Sequence, residues 1–201
     1  EALELGLVDM LAEAGGLDAQ VGEFTGAILA NSWHTNIETK KLMLATEGPE
    51  GIEVSPKGDL PGFVAVLDER TLLIPERSGN QLKMGLRNII ANGRIALIFL
   101  CPATGDAVRA SGVATLYDDA DLCERLAVEG KPAKLVIRVD IERSFFHCPK
   151  AILRSNLWKP ESWGDPIRVS YGKIYAKALG NPEIAEAFDE MSEQHNSELW
   201  T

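Results

Sequence analysis

Phe63-Val64-Ala65-Val66-Leu67-Asp68-Glu69-Arg70-Thr71-Leu72-Leu73-Ile74 is the stretch that decides the fold. Two short apolar runs flank the charged triplet Asp68-Glu69-Arg70. A connection that short joins antiparallel strands, because a parallel pair needs a crossover of about a dozen residues or more. The same texture extends both ways. Leu42–Thr46 and Ile52–Ser55 precede it as short runs bounded by turn residues. Downstream, Ile95–Cys101 and Ala107–Tyr117 read as a longer hairpin around Pro102-Ala103-Thr104-Gly105-Asp106, and Leu135–Phe146 reads as the last strand. Between the strands, Gln81–Asn92 carries Leu82, Leu86, Ile89 and Ile90 at helical spacing and stops at Asn92-Gly93. Asp118–Val128 predicts a short helix capped by Asp118 or Asp119 and ended by Gly130. Single helices between strands are not a βαβ series. The expectation is a mainly β chain with α elements (α+β), a small antiparallel barrel with helices packed outside.

Flanking segments are helical. Leu3, Leu7, Met10, Leu11 and Ala14 form one apolar stripe ended by Gly15-Gly16, and Val21, Phe24 and Ile28 form another after Asp18. Gly172–Leu179 and Pro182–Leu199 predict two more helices. The expected organisation is an N-terminal helical extension over 1–40, a barrel domain over 41–160, and a C-terminal helical segment over 161–201 packed on the barrel.

The composition is that of an ordinary globular chain: 201 residues, 45% apolar, 25% charged, with 18 glycines and 10 prolines. Such a length buries roughly 70% of the unfolded surface and needs no covalent staple. Its longest apolar run, Ile95–Cys101, is of strand length, so no membrane span is expected. Thirty acidic against 20 basic residues leave a formal charge of −10, which argues against nucleic acid or an anionic membrane as partner. Basic residues still cluster at Lys57, Arg77, Lys83 and Arg87, and again at Lys150, Arg154 and Lys159, enough to hold a small anion. Cys101, Cys123 and Cys148 are odd in number and lack ligand spacing, so neither a disulfide framework nor a metal site is expected. No signal or transit segment is visible, which fits the cytoplasm, and the chain opens on Glu1 instead of a methionine.

Three segments can carry chemistry. Val54-Ser55-Pro56-Lys57-Gly58-Asp59-Leu60-Pro61-Gly62 leaves a strand as a stiffened turn around one lysine; it reads either as a ligand edge or as a plain exit with a solvated Lys57. Ile74-Pro75-Glu76-Arg77-Ser78-Gly79-Asn80-Gln81 ends a strand and opens a helix. Free N–H groups there beside Arg77 make an anion site, while Ser78 and Gln81 have the spacing of a capping box. Phe145–Trp158 gathers His147, Cys148, Lys150, Arg154, Ser155 and Trp158. Adjacent His147 and Cys148 point to opposite faces of an extended segment, which argues against a nucleophile pair. Arg154 and Trp158, four apart, read as one helical face for an anion and a ring, or Trp158 as core. His34 and His195 read as surface residues. Dinucleotide, P-loop, zincin and hydrolase-elbow motifs are missing from the sequence, and no catalytic residue is assigned.

Taken in order, Val54–Asp59, Gly62-Phe63, Leu67–Leu72, Ile74–Asn80, Leu86–Ile89, Asn92, Arg94, Phe99-Leu100, Arg109, Gly112-Val113-Ala114 and Phe145–Trp158 resemble the FMN-binding split-barrel family related to pyridoxamine 5′-phosphate oxidase, in a bacterial branch with this pattern. The resemblance covers about residues 41 to 160 and implies a six-stranded antiparallel split β-barrel. It also implies a homodimer with a small-molecule site and FMN between the subunits. Carried over, Val54, Ser55, Pro56 and Lys57 run along the isoalloxazine edge, with Lys57 near the flavin or its phosphate, and Ile74 and Pro75 floor the site. Arg77, Asn80 and Gln81 take the phosphate. Arg109, Lys150, Arg154, Ser155 and Trp158 come from the same or the partner chain. The family's Arg-Lys pair for the FMN phosphate is not present as such, since Arg77-Ser78-Gly79-Asn80 stands instead, and its C-terminal Trp and Arg motif has no counterpart after Ser170, which argues against vitamin B6 oxidase activity itself. The expectation is an FMN-dependent oxidoreductase acting on a small organic molecule. The alternatives are a non-catalytic flavin sensor or carrier, or a relative binding the deazaflavin F420 or haem.

Overall fold

The computed structural model describes residues 41–79, 82–102, 105–165 and 169–197. The N-terminal extension over 1–40, with His34, lies outside the described residues, as does the end of the helix predicted to reach Leu199. The described chain divides into two compact units, one of residues 41–76, 82–102 and 105–158, the other of 77–79 with 159–165 and 169–197.

Unit one is a seven-stranded antiparallel sheet, one strand more than the resemblance implies. Its strands are β1 (Lys41–Gly48), β2 (Gly51–Gly58), β3 (Ala65–Asp68), β4 (Thr71–Glu76), β5 (Arg94–Leu100), β6 (Ala107–Tyr117) and β7 (Leu135–His147), in the spatial order β2-β1-β5-β6-β7-β4-β3. The Phe63–Ile74 hairpin is present, although its first strand starts at Ala65; Asp68 Oδ1 accepts the Arg70 N–H at 2.9 Å and pins the turn. That bond, with the Thr71 hydroxyl, holds the Asp68 carboxyl below the usual range. β2 runs on to Gly58, so Pro56 and Lys57 belong to the strand and not to the turn after it. Pro56 is tolerated because, among the described residues, β2 is an edge strand with β1 its only ladder partner.

Alternation explains the core. Leu42, Leu44, Ile95, Leu97, Phe99, Val108, Ala110, Ile137 and Val139 point to one side and are buried together with Ile74. Helix α1 (Met84–Asn92) adds Leu86 and Ile89 to this cluster. Asn88 anchors the helix by donating to Thr46 Oγ1 (3.2 Å), and its side chain fills the space over Gly48, where a β-carbon would lie 1.9 Å from Oδ1. α1 begins at Met84, after a left-handed Lys83 with no side-chain cap, three residues later than the start expected at Gln81. Its end at Gly93 is as expected, with φ +71° and N–H to Ile89 O. Helix α2 (Ala120–Arg125) is capped by Asp119 and stops at Leu126, short of Gly130. α2 supplies Cys123 to a second apolar cluster with Leu73, Ala133 and Val136, on the other side of β4 and β7. Burial, with Asp119 and Asp118 adding, pushes the Cys123 thiol pKa up. Helix α3 (Lys150–Ser155) closes unit one.

Unit two is a helical hairpin of α4 (Tyr171–Leu179) and α5 (Ala185–Ser197). Ser170 caps α4, and Asp189 of α5 accepts from the Ser170 hydroxyl and the Gly172 N–H. Gly172 permits the close crossing, since a β-carbon would fall 1.8 Å from Ala185 O. Tyr175 stacks on Phe188 at 5.4 Å.

Candidate functional site

Side-chain parity divides the candidate residues between two faces of the sheet. On the core side the register aligns Lys57, Leu42, Phe99, Val108 and Phe146 across five strands, with Ser55 two residues along β2. The other side carries the row Pro56, Met43, Ile98, Arg109 and Phe145, with exposed Val54 beside it. A single run, Val54 to Lys57, thus presents alternate residues to opposite faces.

On the core side a mouth forms where β2, the end of β4 and the first turn of α1 meet. Ser55, Lys57, Glu76, Lys83, Gly85 and Ile137 are among the residues lining its cavity of about 10 Å³, room for about one water molecule. Lys57 Nζ donates to Glu76 Oε2 at 2.5 Å, with the two side chains 18% and 13% exposed. Deeper along β2, Glu53 Oε2 is buried and has no hydrogen-bond partner. A β-carbon on Gly85 would sit 3.3 Å from it, so this carboxylate abuts the first turn of α1, where its charge is favourable. The sequence reading missed both acids. A glutamate at a strand end reads as a solvated charge until the sheet's ends are brought together.

On the outer side Arg109 is held by β7. Its guanidinium donates to His147 Nδ1 at 2.7 Å and lies 5.2 Å from the centre of the Phe145 ring. Arginine only donates, so Nδ1 is the acceptor in this contact. A bulge at Glu142 arranges this: Gly112 pairs with Ile141 but Ser111 with Arg143, which turns Arg143, Phe145 and His147 to the side of Arg109. Pro56 and Arg109 stand three strands apart, about 14 Å, so one protomer does not bring Arg109 to the mouth.

The remaining candidates separate further. Ile74 is fully buried and Pro75 buried, so they back the mouth instead of presenting side chains to it. Arg77 falls in the second compact unit, and Asn80 and Gln81 lie outside the described residues. Lys150, Arg154 and Ser155 are exposed on α3. Arg154 Nε turns back to Lys150 O and the Ser155 hydroxyl to Ile152 O. Asn156, left-handed at φ 51°, ends α3, so Arg154 and Trp158 do not share a helical face. Trp158 is half-buried, with Nε1 enclosed and unpartnered. Cys148 is exposed, and no cluster of three or more metal-ligating side chains occurs among the described residues.

A sequence model of the family described as pyridoxamine 5′-phosphate oxidase matches residues 33–148, more than half of the chain. The chain belongs to the pyridoxamine 5′-phosphate oxidase family. The matched span holds all seven strands and α1. Solved structures similar to it include HupZ from group A Streptococcus (23% identity, 58% of this chain and 91% of that one, TM-score 0.46). General stress protein 26 from Bacillus anthracis is another (12%, 59% and 93%, 0.44), as is PhzG from Burkholderia lata (16%, 69% and 85%, 0.44). Likeness at that level extends to no residue of the site. No curated protein sequence matches the chain.

The donor set of the mouth suits a flavin of the kind this family is expected to bind. The Ser55 hydroxyl, the Lys57 and Lys83 ammonium groups and the first N–H groups of α1 are donors for ring oxygens, ring nitrogens and phosphate. The cavity itself is far smaller than the roughly 300 Å³ or more of an enclosed ligand site. These residues therefore fit a ring laid against the rim of one chain, not a ring enclosed by it.

Proposed function

We propose that this protein is an FMN-binding flavoprotein, an oxidoreductase acting on a small organic molecule, with the flavin held between two copies of the chain. The observation that carries the reading is convergence: β2, the end of β4 and the first turn of α1 meet at one donor-rich mouth, and the first two hold residues that the sequence resemblance implies for the cofactor. In this reading Ser55 and Lys57 donate to the ring from one protomer. Ile74 and Pro75 back it, and Arg77, Asn80 and Gln81 take the phosphate. From the second copy, the outward Val54, Pro56 and Arg109 and the Lys150–Trp158 segment complete the wall. The shallow single-chain cavity and the exposed apolar outer face, with Ile52 77% and Val54 57% exposed, support a site that two chains close.

Bound flavin supplies electron-pair transfer, and the protein's part is to bind, orient and hydrogen-bond it, which requires no catalytic triad. Vitamin B6 oxidase activity is not part of the proposal, because Arg77-Ser78-Gly79-Asn80 stands where the resemblance implies a pair of phosphate cations. The test is a visible absorption spectrum of purified protein, with the released cofactor identified by mass. One FMN per chain, and a dimer by light scattering, is the expected result. A colourless protein that refuses added FMN, or one carrying deazaflavin or haem, overturns it.

A further inference from the structure

Lys57 and Glu76 are 19 residues apart in the chain, yet their strands stand near opposite ends of the sheet. Four strands, β1, β5, β6 and β7, lie between β2 and β4 in the ladder order. Among the described residues β2 pairs only with β1, and β4 only with β3 and β7, and no ladder joins β2 to β4. The ion pair crosses that seam instead, at 2.5 Å and largely screened from water. A pair so placed is stronger than an exposed one, and removing one partner leaves the other charge half-buried and unmatched. An ammonium has three N–H donors, of which Glu76 takes one.

We propose that Glu76 is a positioning residue that straps the seam of the barrel and presents Lys57 at the mouth as half of a neutral pair. Two Lys57 N–H groups then remain for a ligand while the charge is already matched. This edge therefore receives an uncharged hydrogen-bonding ring edge and rejects a further anionic group. The proposal rests on the flavin reading for what occupies the mouth, but not for the strap itself.

The test compares the full chain with Glu76→Gln, Lys57→Met and the charge-swapped double variant Lys57→Glu/Glu76→Lys. Thermal midpoints are measured without added flavin, and binding of FMN and of inorganic phosphate by titration. Glu76→Gln keeps the shape but frees the ammonium. It is expected to melt about 3–6 °C lower and to bind inorganic phosphate about tenfold more tightly. The swapped protein is expected to recover most of the midpoint without recovering FMN affinity. An unchanged midpoint or an unchanged phosphate affinity in Glu76→Gln overturns the proposal, as does a swapped protein that melts as low as Lys57→Met. Should the unaltered protein take up no FMN, the flavin reading falls while the midpoints still decide the strap.

Discussion

Two cations of this barrel, Lys57 and Arg109, are both held by partners, and the contrast between them is instructive. Lys57 faces inward and meets a glutamate from a strand that is not its sheet neighbour. Arg109 faces outward and leans on His147 and Phe145 of the adjacent strand. The first contact closes the barrel; the second only arranges a surface. The sequence resemblance implies one ligand for both residues, yet within a single chain they lie on opposite faces, so the flavin proposal needs a second copy to unite them.

The sharpest way to test the contrast is to weaken each side in turn. Ile74→Ala, behind the mouth, removes a fully buried side chain and is expected to cost about 3–4 kcal/mol in chemical denaturation. Phe145→Ala on the outer face, 40% exposed in one chain, is expected to cost about 1 kcal/mol in dilute protein. A larger loss that appears only in concentrated protein would mean that a second copy covers that face. Gly112→Ala attacks the bulge that aims β7 at Arg109. Its β-carbon would fall 2.0 Å from Asp140 O, so a loss of about 2–3 kcal/mol is expected, together with a shifted His147 ring signal in NMR. Arg109→Met and His147→Gln are each expected to cost about 1 kcal/mol or less and to be non-additive when combined; full additivity would show that the contact carries no energy.

The smallest effect belongs to the β3–β4 turn. Asp68 titrates below its ordinary range because the Arg70 N–H and the Thr71 hydroxyl bond the ionised form. Its contribution is therefore present above the ordinary carboxylate pKa, about 3.9, and is lost as pH falls through the lower folded value. Asp68→Asn is expected to flatten the acid limb of the stability curve slightly and to lower neutral stability by the same small amount. An acid limb as steep as that of the unaltered protein would break the assignment.

Much of the fold was legible because strands write their burial into every second residue. Arg94–Leu100 alternates along its length, and Ala107–Tyr117 has the bounds expected from sequence. What stayed hidden depends on single residues with unusual backbone or on distant partners. Gln81, Leu82 and Lys83 are ordinary helix formers, so nothing in their side chains announces a left-handed Lys83 and a helix delayed to Met84. Asn156 is a known left-handed stop, but the Arg154–Trp158 spacing masked it. The bulge at Glu142 reverses parity without a glycine in β7 to mark it. Of the site, the sequence pointed to Ser55 and Lys57, while Glu53 and Glu76 became visible only once β2, β4 and α1 were side by side.

The strap between Lys57 and Glu76 also has a place in time. Its two residues are synthesised early, within β2 and β4, yet the strands that separate them in the sheet extend to His147. Each hairpin can form locally, but the seam exists only after β5, β6 and β7 have filled the space between, at the cost of ordering long intervening loops. By this topology the ion pair is expected to form late in folding and to break early in unfolding. Weakening it is then expected to speed unfolding and to change the folding rate little.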